Sequence, residues 1–179
     1  MPTDAQADIA ETFDVIVEIP SGSRNKYEMD KATGRIRLDR TLFTATRYPA
    51  DYGYVEDTLA LDKDPVDALV VVGEPTFPGC VIRVRCVAVY RMSDEHGPDE
   101  KLLCVPANDP RWEKTNDVDD LPAHLLDEIA HFFEVYKALE PGKHVVGSHW
   151  EGAQAAYADL RAARERFRSP DAAHLTSNG

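Results

Sequence analysis

The run Cys80-Val-Ile-Arg-Val-Arg-Cys-Val-Ala-Val-Tyr-Arg91 has a period of two. Its even positions, Cys80, Ile82, Val84, Cys86, Ala88 and Tyr90, form one apolar face, while Arg83 and Arg85 fall on the other. Successive side chains of a strand point to opposite faces, so the pattern predicts a β-strand. Upstream, Ala68-Leu-Val-Val-Val72 is a short apolar run stopped by Gly73 and Pro75. Phe13-Asp-Val-Ile-Val-Glu-Ile19 is rich in β-branched residues and ends at Pro20-Ser-Gly22, a strand followed by a turn. Between these, residues 26–30 and 35–38 flank Lys31-Ala-Thr-Gly34, a hairpin whose glycine supplies a positive φ. Downstream, residues 101–105 form another strand, ended by Pro106.

The period then changes. Leu125, Ile129, Phe132, Phe133, Tyr136 and Leu139 recur at helical spacing, with Pro122 near the start and Pro141-Gly142 after the end. A second helix is expected over 151–167, with Ala153, Tyr157, Leu160, Arg164 and Phe167 on one side. Strands first and helices last predict an α+β fold built on an antiparallel sheet or barrel. Residues 1–179 read as one domain with a core of about 13–167, no repeat and no linker, and tails expected to fray.

The chain has 179 residues, enough for one sizeable core, and a formal net charge of −12. That sign argues against nucleic acid, whose backbone needs a basic face, and against anionic membrane. Cys80, Cys86 and Cys104 show no C-x-x-C spacing and read as reduced residues of a cytoplasmic protein. No apolar run has the length of a membrane span, and the first ten residues lack the apolar stretch of a signal peptide.

The charge is uneven. Residues 24–47 carry seven bases and three acids, 51–70 carry six acids and one base, and 91–120 carry nine acids and four bases. Either these clusters are solvated surface, or they meet in a cleft with cations on one wall and an anion on the other. Leu61-Asp-Lys-Asp-Pro-Val-Asp-Ala-Leu69 is the most informative acidic stretch. Its carboxylates are spaced by two and three, and Pro65 prevents a regular helix through them. Mg²⁺ favours such oxygen ligands and keeps several waters, whereas the positions of a calcium EF-hand loop are not met. The bare pattern is equally that of an acidic turn. Asp94-Glu-His-Gly-Pro-Asp99 repeats the theme at a hairpin tip, which could join Asp62 and Asp67 at one end of the sheet. Lys26, Arg40, Lys101 and Lys137 offer cationic contacts to an anion, and Tyr48, Tyr52, Tyr54 and Tyr136 offer phenolic donors. None of the six histidines has metal-ligand spacing; His131 reads as a packing or subunit-interface residue.

Tyr48-Pro-Ala-Asp-Tyr-Gly-Tyr54 followed by Asp62-Lys-Asp-Pro-Val-Asp67 resembles the signature of family I soluble inorganic pyrophosphatases of bacterial type. Glu18-Ile-Pro20, Lys26-Tyr-Glu28, Asp39-Arg40, Asp94 with Asp99 and Lys101, and His131-Phe-Phe-Glu-Val-Tyr-Lys137 match in unbroken order. Pro98 and the short segment Asn108-Asp-Pro-Arg-Trp112 depart from some relatives in loops only.

The resemblance implies a five-stranded barrel of the oligonucleotide-binding (OB) topology with flanking α-helices. It also implies a cytoplasmic homohexamer that hydrolyses pyrophosphate to two orthophosphates using Mg²⁺, with Mn²⁺ or Zn²⁺ as substitutes. Asp62, Asp67 and Asp99 would hold the first metal, Asp67 being shared with the second. Asp94 and Asp99, helped by Glu18, would hold metals arriving with substrate. Lys26, Arg40, Tyr52, Lys101, Tyr136 and Lys137 would contact phosphate oxygens, with Glu28 and Tyr48 behind them. A water between two cations becomes hydroxide near neutral pH, and Asp64 or Asp99 would take its proton. A different class, a barrel that binds ions without turnover, is expected to take up metal but release no phosphate.

Overall fold

The computed structural model describes residues 11–169, so the tails expected to fray lie outside the described residues. The strands are β1 (Phe13–Ile19), β2 (Asn25–Asp30), β3 (Arg35–Thr41), β4 (Asp51–Val55), β5 (Val66–Val70), β6 (Val81–Asp94), β7 (Gly97–Pro98), β8 (Lys101–Pro106) and β9 (Val145–Gly152). Two helices, α1 (Ala123–Val135) and α2 (Ala153–Arg168), flank β9. Strands β1, β4, β5, β8 and β6 are neighbours in that order, and β1 also pairs with β6. The result is the five-stranded ring expected of the OB topology. Its pairings are antiparallel except β5 with β8, which is parallel, so the sheet is mixed rather than purely antiparallel.

The ring closes tightly where β1 crosses β4. A Cβ on Gly53 would lie 1.9 Å from the carbonyl oxygen of Ile16, so only glycine fits between the two backbones. Strands β2 and β3 form the expected hairpin, and Gly34 in its turn has φ +68°. The two faces of the ring feed two cores. Leu69, Leu103 and Val105 pack with Ile129, Phe132 and Phe133 of α1. Ala68, Val70, Leu102 and Cys104 pack with Ala156, Leu160 and Ala163 of α2. Complete burial of one large apolar side chain contributes about 2 kcal/mol, so each helix is held chiefly by this face.

Several expectations are corrected. Strand β6 does not keep its even positions on one face: Val84 and Cys86 join the α2 core, whereas Ala88, Tyr90 and Met92 join the α1 core. The register slips between Cys86 and Ala88, and one extra residue in a strand exchanges the faces beyond it. Arg85 is buried, donating to the carbonyls of Thr115 and Trp112 and to Asn116 Oδ1, so it pins the loop after β8.

Helix α1 ends at Val135, and Leu139 lies beyond it, 66% exposed. In α2 the buried face is Ala156, Leu160 and Ala163, with Phe167 40% exposed, because small residues allow the helix to sit close on β6. His131 is exposed on α1, which sets aside the packing alternative and leaves that of a subunit interface. The segment before α2, expected to begin that helix, is the end of β9.

Candidate active site

Loops, strand positions and one helix end bring the charged segments together. Residues 61–64 form a turn entering β5, in which the Asp64 backbone N–H donates to Asp62 Oδ1 at 3.0 Å. Lys63 between them takes φ +72°, a left-handed conformation that costs a non-glycine residue energy. Asp67 sits within β5, directly opposite Lys101 of β8. Asp94 ends β6, Asp99 lies in the short connection between β7 and β8, and the end of α1 supplies Tyr136 and Lys137. Lys26 and Arg40 are register partners on the β2–β3 hairpin.

These residues line a single cleft of about 630 Å³. Its lining combines the carboxylates of Asp62, Asp64, Asp67, Asp94 and Asp99 with Lys26, Arg40, Tyr52, Tyr136, Lys137 and the buried Lys101. Glu18 and Glu28 line an adjoining recess of about 270 Å³ that shares Lys26, Tyr52, Asp64 and Asp67 with it. Tyr48 lines neither: it is buried, with its ring centroid 4.7 Å from Phe132 and 5.4 Å from Tyr52, and it props Tyr52 from behind. Arg24, Arg35, Arg37 and Arg47 do not reach the cleft, so only part of the basic segment faces the acids. Asp51 is also structural: wholly buried, it accepts from the Ser21 and Thr76 backbones and the Thr76 hydroxyl.

The charges are individually tethered. Lys101 Nζ is 2.8 Å from Asp67 Oδ2 and 2.8 Å from Asp99 Oδ1. Lys137 Nζ is 3.1 Å from Asp94 Oδ2, and Lys26 Nζ is 2.8 Å from Glu28 Oε1. Burial raises Glu18 and Asp62 to about 6 each, although Glu18 accepts from the Met29 backbone and Asp62 from that of Asp64. Burial works against the Asp94 carboxylate too, but the His96 backbone N–H and Lys137 hold its pKa below the ordinary value. Burial pushes the Tyr52 and Tyr136 phenols up, so both stay neutral hydroxyls. Burial opposes the Lys101 charge, yet the neighbouring carboxylates raise its pKa well above the usual lysine range.

The sequence reading overlooked several residues here. Glu95 lines the cleft with Oε1 3.8 Å from Lys137 Nζ, and its buried Oε2 has no hydrogen-bond partner. Its place beside Asp94 in the same acidic turn is a signal that could have marked it. Glu140 is buried and bonds Arg40, and Lys63, His96 and Lys143 also line the cleft. No local pattern announces Glu140, because its partner lies a hundred residues away.

The donor set suits a hard divalent cation. The carboxylates offer oxygen only, and Glu95 Oε2 is a buried acceptor without a partner. Among the described residues no three acidic, histidine or cysteine side chains are drawn close enough to make a finished cage.

A closed five-stranded ring whose rim sets carboxylates against lysine, arginine and tyrosine belongs to the class of proteins that handle phosphate compounds with the help of metal ions. Residues 15–168 match the family model of inorganic pyrophosphatase, and the chain belongs to that family. It is 58% identical over 156 residues to an inorganic pyrophosphatase of Streptomyces coelicolor, covering 87% of this chain and 96% of the relative. A Methanosarcina acetivorans inorganic pyrophosphatase is 57% identical over 153 residues, covering 86% and 90%. The crystal structure of inorganic pyrophosphatase from Thermus thermophilus superposes with a TM-score of 0.87 at 43% identity, covering 94% of this chain and 97% of that one.

Proposed function

We propose that the chain hydrolyses inorganic pyrophosphate to two orthophosphates, with Mg²⁺ as its working cation and Mn²⁺ or Zn²⁺ as substitutes. The observation that carries this reading is that five aspartates, Lys26, Arg40, Lys137 and two neutral tyrosines line one cleft. Asp62, Asp67 and Asp99 would hold a first metal, and Asp94, Asp99 and Glu18 those that accompany substrate. When bound, the metal supplies positive charge to phosphate oxygens and lowers the pKa of a water toward neutrality.

The chain's own groups do the rest. Arg40 presents a planar fork to phosphate oxygens, while Lys26 and Lys137 are movable point charges. The Tyr52 and Tyr136 hydroxyls donate hydrogen bonds without adding charge. Asp64, on its tight turn, and Asp99 are the two acceptors for the proton of the attacking water. Fixing substrate and water against preplaced charge is the bulk of what phosphoryl transfer requires.

We read residues 1–179 as a single domain, and the assembly as a cytoplasmic homohexamer on the pattern of the resembled family. No helix among the described residues is long and apolar enough to cross a membrane. Phe77 and Val81, 64% and 56% exposed, are apolar surface that a further copy could cover.

The test is orthophosphate release from pyrophosphate. Two phosphates per pyrophosphate with Mg²⁺, and none after chelation, is the expected result. Metal and pyrophosphate binding without release would overturn the hydrolase reading in favour of an ion-binding barrel.

A further inference from the structure

We propose that Lys101 is a positioning residue: a fixed internal cation that spaces and aims Asp67 and Asp99 and tempers how tightly they take Mg²⁺. The inference rests on the cleft being the metal-assisted pyrophosphate site. It reassigns a lysine that the family resemblance puts among the phosphate contacts.

The geometry is that of a clamp. Lys101 and Asp67 are register partners across the parallel pair β5–β8, so backbone pairing fixes the start of both side chains. The ammonium bonds one oxygen of each carboxylate, Asp67 Oδ2 and Asp99 Oδ1, both at 2.8 Å. The other two oxygens, Asp67 Oδ1 and Asp99 Oδ2, have no hydrogen bond from a described residue and remain as metal donors. The Tyr52 and Phe133 rings back the ammonium, with centroids 5.5 Å and 5.4 Å from Nζ. Its side chain is only 2% exposed, against 25% for Lys26 and 11% for Lys137. A group so enclosed is placed to hold its neighbours, whereas Lys26 and Lys137 are placed to meet an incoming anion.

Two consequences follow from the charges. One ammonium between two carboxylates leaves the trio with a single net negative charge, so the ammonium weakens the attraction that a cation meets at the outer oxygens. Removing that positive charge therefore favours Mg²⁺ binding while freeing the carboxylates from their fixed spacing. A phosphate contact behaves differently: its loss weakens substrate binding and leaves metal affinity alone.

The experiment is Mg²⁺ titration calorimetry of the whole chain, without pyrophosphate and at constant ionic strength, on the wild type, Lys101→Met and Lys101→Arg. Lys101→Met is expected to bind its first Mg²⁺ about tenfold tighter, the size expected for deleting one charge roughly 5 Å from a divalent ion in a wet site. Its phosphate release should nevertheless fall by about a hundredfold through kcat rather than KM. Lys101→Arg should keep Mg²⁺ affinity within about threefold of wild type, since the charge is retained. Unchanged or weaker Mg²⁺ affinity in Lys101→Met, with a rise confined to KM, would overturn the proposal.

A second measurement needs no variant. Amine acetylation of the wild type, read by mass spectrometry, should modify Lys101 at least about tenfold more slowly than Lys26, with or without orthophosphate. Equal modification of the two, with orthophosphate protecting Lys101, would also overturn it. Both readouts proceed without turnover. A chain that shows them yet releases no phosphate would defeat the hydrolase reading and leave the clamp standing.

Discussion

Arg40 Nη2 lies 2.9 Å from Glu140 Oε1 and 3.1 Å from Oε2, joining the β2–β3 hairpin to the turn that follows α1. Glu140 is almost wholly buried, so the pair is a charge-assisted tether and not a passing surface contact. It sets the direction from which the Arg40 guanidinium enters the cleft.

Glu140→Gln keeps the shape and removes the charge. The expected outcome is a loss of about tenfold in kcat/KM for pyrophosphate, roughly 1.4 kcal/mol, from a mispointed Arg40. Steady-state phosphate release with parallel thermal melts checks it. An unchanged kcat/KM would mean that the tether orients nothing the reaction uses.

Gly53→Ala tests the closure of the ring. Its new Cβ would meet the Ile16 carbonyl oxygen at 1.9 Å and the Val17 Cα at 2.9 Å, both backbone atoms that cannot swing away. A destabilisation of at least about 3 kcal/mol is expected in denaturant unfolding. Wild-type stability would show that β1 and β4 separate more easily than their register implies.

Glu18 and Asp62 give a pH signature. Burial lifts them from ordinary values of 4.5 and 3.8 to about 6. A carboxyl whose folded pKa is raised favours folding below its unfolded pKa, and that contribution is lost as pH rises through the folded value. Metal-free protein should therefore lose stability from these two groups between about pH 4 and 6.5. Asp94 has the opposite sign: its lowered pKa gives stability that is lost only as pH falls below its ordinary range. On the proposed reading Mg²⁺ takes the ionised carboxylates, so the Tm increment it confers should grow from pH 5 to pH 7. Calorimetric scans with and without Mg²⁺ at the two pH values check this, and a pH-independent increment would contradict it.

Much of the fold was legible because its signals are local. The β-branched run Phe13–Ile19 and the Gly34 turn needed nothing from elsewhere in the chain. Strand β9 was missed because Val145–Gly152 interrupts its apolar residues with Gly147, His149 and Glu151, and gains its order from pairing with β6. The slip in β6 was invisible for a related reason: a bulge depends on the partner strand, and beyond Arg85 both faces are apolar, which erases the alternation that would reveal it. At the site, the acidic turns declared themselves by spacing, whereas Glu140 and the enclosure of Lys101 exist only once distant segments meet.

Asp67→Asn addresses the central claim most directly. Asp67 starts from a strand position fixed by β4 and β8, bonds Lys101, and lines both the cleft and its recess. The amide is isosteric, so the fold should persist while one metal-holding charge disappears. Phosphate release from pyrophosphate in saturating Mg²⁺ should fall by on the order of 10³-fold or more, with the circular dichroism spectrum unchanged. Turnover near the wild-type rate in a folded Asp67→Asn protein would contradict the account.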